Sequence, residues 1–166
     1  MEFIAHFLQD ALFSAIAAIG FAAISRPPRQ AYLYCALIAA AGHSMRFLLM
    51  QTPALHFHIV IATTLAALLV GILAVLISPH AKVPAETCLF PSLLPMIPGM
   101  YAYRTFGGLV MCLYGGTEQS FQHYFYLFAS NGLTCFFILL GMVIGATVPI
   151  FLMKRISFQA TRSKPL

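Results

Sequence analysis

Charge is what this chain has least of: 8% of its 166 residues are Asp, Glu, Lys or Arg, and only four are acidic. So little polar surface cannot cover a soluble globule, and 61% hydrophobic residues with a mean hydropathy of +0.90 describe a polytopic membrane protein. Common catalytic signatures are missing too. There is no G-x-x-x-x-G-K-[ST] loop, no G-x-S-x-G, no H-E-x-x-H and no pair of intramembrane aspartates, so neither nucleotide-driven work nor enzyme activity is expected. The four cysteines, Cys35, Cys88, Cys112 and Cys135, fall one per apolar segment, without a C-x-x-C pair or a histidine at metal-ligand spacing. They read as small buried hydrophobes, and no metal or cofactor is expected. The net charge of +5 does not point to nucleic acid, because the basic residues stand singly or in pairs beside apolar runs.

Long apolar runs are what the chain does have. Five segments, about 3–25, 31–50, 55–78, 89–114 and 122–153, each approach the ~20 residues that cross a bilayer. The second is the most diluted, by Gly42, His43, Ser44 and Arg46, and hydropathy alone could leave four spans. Basic residues decide for five. With five spans, Arg26, Arg29, Lys82, Lys154, Arg155, Arg162 and Lys164 share one side, as the positive-inside rule requires. With four, those from Lys154 onward would lie opposite Arg26 and Arg29. The expected fold is therefore an all-α membrane bundle in one domain, 1–166, with the N-terminus outside and the C-terminus in the cytoplasm. Met1-Glu2 opens the first segment without a basic region or a cleavage site, so a retained helix is expected there rather than a signal peptide.

The most informative stretch is Phe90-Pro91-Ser92-Leu93-Leu94-Pro95-Met96-Ile97-Pro98-Gly99, three prolines and a glycine in an apolar segment. Each proline removes a backbone donor, and hydrocarbon supplies no water to compensate what is freed. A Pro-broken fourth helix is expected, with Pro98 roughly nine residues, or ~14 Å, past the segment's inner end and opening a new half-helix. The N–H groups of Gly99, Met100 and Tyr101 would then point into the break and suit a carboxylate or another small anion. A kinked helix that binds nothing is the alternative.

Small residues recur every fourth position in Ser14, Ala18 and Ala22, in Thr63, Ala67 and Gly71, and in Gly141 and Gly145. Such faces serve packing within the chain or against a separate membrane subunit. Among polar groups, Glu2, His6 and Asp10 share one helix face with Gln9 beside them, and His43 and Arg46 lie one turn apart. Arg46 has three readings: snorkelling to headgroups, pairing with Asp10, or contact with a substrate carboxylate. Arg104 lies deeper and needs a partner. Asn131 reads as helix-to-helix glue, and His56 with His58 as interfacial histidines on opposite sides of a helix.

Gln9-Asp10, Gly20-Phe21-Ala22, Gly42-His43-Ser44-Met45-Arg46, His80-Ala81-Lys82-Val83, the run from Pro95 to Tyr103 and Asn131-Gly132-Leu133-Thr134 occur in the order of a known family. The chain resembles the threonine/serine exporter family, and within it the small stand-alone, YjjB-like subunit. That resemblance implies a multi-pass subunit of the bacterial inner membrane that works with a larger YjjP-like membrane subunit. It implies export of a small carboxylate, a dicarboxylate such as succinate in the two-subunit form or threonine and serine in fused forms. It further implies a substrate pathway at Asp10, Gly42, His43, Arg46, Pro95, Pro98, Gly99, Tyr103 and Asn131. Arg104 and Pro91 fall outside the pattern. A homo-oligomeric channel without a partner is the alternative architecture.

Overall fold

The computed structural model describes residues 2–52 and 56–153, and within them every regular element is helical. The helices are α1 (Glu2–Ser25), α2 (Arg29–Gln51), α3 (Ile59–Ala81), α4 (Ala85–Leu93), α5 (Gly99–Tyr114) and α6 (Glu118–Leu152), with a 3₁₀ turn at Leu94–Met96. Four of them, α1, α2, α3 and α6, are long and apolar enough to cross a membrane.

The expected spans meet this pattern unevenly. The polar-diluted second segment is a full helix of 23 residues. The expected fourth span, 89–114, is instead divided between the end of α4, the 3₁₀ turn and the 16-residue α5, and neither helix reaches crossing length by itself. Prolines at 91, 95 and 98 explain the division, since each withdraws a donor from the helical ladder. The third span starts later than expected, at Ile59, because His56 has a φ of 36° and His58 caps the helix, its Nδ1 accepting from Val60 N at 3.4 Å. His56 and His58 therefore precede the helix and do not lie on opposite sides of one. The basic run from Lys154 lies outside the described residues.

The chain forms two compact units, one of residues 1–96 with 141–166 and the other of 97–140. In the first, α1 and α2 pack side by side, joined through Arg26-Pro27-Pro28. Arg26 takes a left-handed φ of 48° and its N–H bonds Ala22 O at 3.1 Å, closing α1 before the prolines. α3 ends in a Schellman motif: Val83 N bonds Ser78 O at 3.3 Å and Lys82 N bonds Pro79 O at 3.4 Å, with Lys82 left-handed at φ 53°.

Alanine and glycine fill the core where larger residues would hold helices apart. Ser14, Ala18 and Ala22 are the buried residues of α1, and Thr63, Ala67 and Gly71 are buried in α3, the registers the small-residue spacing predicts. Gly141 and Gly145 meet α3: a Cβ at Gly145 would lie 2.4 Å from the carbonyl oxygen of Thr64. That face of α6 is consumed within the chain. Met142, Ala146 and Ile150 join the same core.

In the second unit, α5 and residues 118–140 of α6 form a helical hairpin through Gly115-Gly116-Thr117. A Cβ at Gly108 would lie 2.8 Å from Phe128 N, so the two helices meet there backbone to backbone.

Candidate functional site

Gly42 explains how the polar cluster of the first unit is built. A Cβ at this position would reach to 2.3 Å from Val70 Cγ2 and 3.3 Å from Met96 Cε, so only glycine lets α2 close onto α3 and the 3₁₀ turn. His43 follows immediately and is buried; Arg46 lies one turn on and is half-buried. Residues three apart share a helix face, which brings both toward Asp10 of α1.

Their contacts form a chain. His43 Nδ1 lies 3.1 Å from Asp10 Oδ2 and 3.3 Å from Arg46 Nη2, and Arg46 Nη1 donates to Met96 O at 3.4 Å. Of the three readings of Arg46, neither snorkelling nor direct pairing with Asp10 is what the contacts show: the carboxylate is taken by the imidazole, and the guanidinium turns inward to His43 and Met96 O. His43 Nε2 is buried without a hydrogen-bond partner among the described residues. An orphaned buried ring nitrogen is costly enough to call for a reason.

Asp10 keeps a way out. About 33% of its side chain is exposed, against 8% for His43. It lines an open cleft of about 540 Å³ with His6, Gln9 and Gln51 among Phe3, Phe13 and Phe47. The cluster therefore runs from an accessible carboxylate, through a buried imidazole, to a guanidinium held on the backbone of the 3₁₀ turn.

Pro95 belongs to that turn and is half-buried. The turn is anchored by Ser92, whose hydroxyl lies 2.9 Å from Cys35 O and 2.7 Å from Cys88 O and can donate its one proton to either. Asp10, Gly42, His43, Arg46 and Pro95 thus gather in the first unit. Pro98, Gly99, Tyr103 and Asn131 belong to the second.

At the break, Pro98 has φ −78° and ψ 59°, and Gly99 N bonds Ile97 O at 2.8 Å, an inverse γ-turn centred on the proline. Tyr101 N bonds Pro98 O at 3.1 Å. Two of the three donors expected to open into the break are therefore engaged by the local backbone. Helix α5 starts at Gly99, which makes Pro98 the residue before the helix rather than its first. Asn131 also departs from expectation, for its Nδ2 donates to Leu127 O of its own helix at 2.7 Å and joins no second helix. Arg104 makes no ion pair or hydrogen bond with any described residue.

Met96 O and Ser92 were not signalled by the sequence. A backbone acceptor carries no residue signature, and a serine between two leucines and a proline looks like filler.

Four helices of crossing length, two of which carry the charged cluster, define a helical membrane protein. More particularly, residues 10–152 match the family described as "Threonine/Serine exporter, ThrE", and the chain belongs to that family of transporters. It is also similar to an uncharacterized protein of Haemophilus influenzae, 33% identical over 153 residues, which are 92% of this chain and 50% of that protein. The chain thus spans about half the length of that relative. No solved structure matches.

Proposed function

We propose that the chain is a multi-pass, inner-membrane subunit of a two-component secondary exporter of small carboxylates, a dicarboxylate such as succinate. The observation that carries this reading is the linked arrangement of Asp10, His43 and Arg46 ending on Met96 O. An arginine with two of its amino groups engaged retains donors for a carboxylate, and a planar fork recognises one bidentately. In this proposal residues 89–114 form a fifth, broken span, with the N-terminus outside and the C-terminus cytoplasmic. The exposed Arg26, Arg29 and Lys82 support that orientation.

A larger YjjP-like subunit would complete the transporter. Support comes from the relative's length, since the chain matches half of it and the other half has no counterpart here. Threonine or serine is the second reading for the substrate. It is favoured by Asp10, whose carboxylate opens to the cleft and suits an ammonium group.

The test is efflux of labelled succinate and of labelled threonine from liposomes holding the chain with its partner. Flux of either that depends on both proteins is expected, and the faster substrate settles the choice. No carboxylate flux from the pair overturns the reading. Full flux from this chain alone replaces the two-component exporter by a homo-oligomeric channel.

A further inference from the structure

Two adjacent glycines shape a second cleft, inside the α5–α6 hairpin. At Gly108 the helices touch, whereas a Cβ at Gly107 would meet nothing within 4 Å. The space left between the helices is about 210 Å³ and is lined by Tyr103, Arg104 and Met111 of α5 and by Tyr124, Leu127 and Asn131 of α6. It lies below the ~300–1,000 Å³ usual for drug-sized ligands, so a metabolite of a few carbons fits it better.

The cleft has a charge and no counter-charge. Arg104 is the one charged residue that lines it. Among the described residues no carboxylate pairs with Arg104; Glu118, the one acidic residue of the same unit, accepts from Gln122 at 3.3 Å. Arg104 and Tyr103 are exposed on the hairpin, so the guanidinium can be reached from outside the helix pair. With no partner among the described residues, its donors are open to a carboxylate from outside the chain.

The neighbouring groups indicate what carries that carboxylate. Asn131 spends its amide donor on Leu127 O, which leaves its side-chain oxygen as an acceptor at the cleft. The hydroxyls of Tyr103 and Tyr124 make no hydrogen bond with described residues. A cationic fork, two hydroxyls and one amide acceptor around a small space complement a compact molecule with a carboxylate and a second polar group. Arg104 is not among the residues that carry the family resemblance.

We propose that the Arg104 cleft is a binding subsite for the carboxylate of a small organic acid, with Tyr103, Tyr124 and Asn131 holding its second polar group. The proposal rests on the transport reading above and names a second place on the path for the same substrate class.

The test uses the full chain with its partner, in phosphatidylcholine nanodiscs for binding and in liposomes for efflux. Labelled succinate and labelled threonine are the probes. Saturable binding of one of them to the wild type is expected. Arg104→Gln should weaken that binding and raise the apparent KM at least tenfold, and Arg104→Lys, which keeps charge without the fork, should fall between. Gly107→Phe, which fills the open wall, should reproduce the loss. Complex assembly should be unchanged in all three.

Unaltered binding in Arg104→Gln and Gly107→Phe overturns the subsite. So does dissociation of the complex in Arg104→Gln, which would give the missing carboxylate to another protein chain. An effect of Arg104→Gln that appears only with phosphatidylglycerol present, and equally without succinate or threonine, would give Arg104 to a lipid phosphate and overturn it as well. Binding that requires Arg104 but is never followed by efflux would spare the subsite and sink the exporter reading.

Discussion

Nδ1 of His43 lies 3.1 Å from Oδ2 of Asp10, and the same nitrogen lies 3.3 Å from Arg46 Nη2. It cannot serve both. With a proton it donates to the carboxylate; without one it accepts from the guanidinium. The position of one proton thus selects which neighbour the imidazole holds.

Asp10→Ala should expose this dependence. Loss of the acceptor leaves Nδ1 only the Arg46 guanidinium as a neighbour and removes a hydrogen bond to a charged group, worth about 1.5–3 kcal/mol. A lower midpoint of thermal unfolding in detergent is expected, with Asp10→Asn retaining an acceptor and most of the stability. Equal midpoints for wild type and Asp10→Ala would show the contact to be energetically idle.

Arg46 tests the guanidinium's geometry rather than its charge. Its Nη1 reaches Met96 O at 3.4 Å while Nη2 faces His43, a fork that lysine cannot reproduce. Efflux should fall in the order wild type, Arg46→Lys, Arg46→Ala. Indistinguishable lysine and alanine variants would mean that charge alone has no part in the path.

Gly145→Leu should unfold the first unit, since even a Cβ there would sit 2.4 Å from Thr64 O and 3.1 Å from Leu68 N. Backbone cannot swing aside as a side chain can, so a cost of about 1–3 kcal/mol or more is expected. Gly20→Ala is the control, because a Cβ there meets nothing within 4 Å. Size-exclusion profiles in detergent should show loss of the monodisperse species for the first variant only.

Pro98→Ala combined with Gly99→Ala removes the inverse γ-turn and lets helix run through the break. Efflux should drop sharply with protein level and partner binding preserved. Normal flux under those conditions would reduce the break to packing.

Topology is open to direct labelling. A cysteine placed at Glu118, exposed at the hairpin, should react with an impermeant maleimide from outside, and one placed at Thr161 only from the cytoplasm. Reaction of both from the same face would remove the five-span proposal.

What the sequence revealed of this fold follows from periodicity. Ser14, Ala18 and Ala22 had to share a face because helical residues four apart do, and they are the residues α1 buries. The same rule put His43 beside Arg46. It could not say which of the two Asp10 would meet, because that choice is made by side-chain reach between helices. Nor could it foresee Met96 O as a partner of Arg46, since every residue carries a carbonyl. Pro91, Pro95 and Pro98 led the sequence reading to a broken fourth segment, but not to the inverse γ-turn at Pro98, which ties up Gly99 N. Asn131 was misjudged because an asparagine can satisfy itself on its own helix.

The seam of Gly141 and Gly145 against α3 also fixes an order of biogenesis. Met142, Ala146 and Ile150 complete the core that α1 to α4 begin, yet they are synthesised after the whole hairpin of α5 and the front of α6. Chain order therefore delivers α1, α2 and α3 well before their last neighbour exists. Once α6 arrives, Gly145 closes directly against the backbone of Thr64 and Leu68. A seam of this kind can close late, as the final act of assembly.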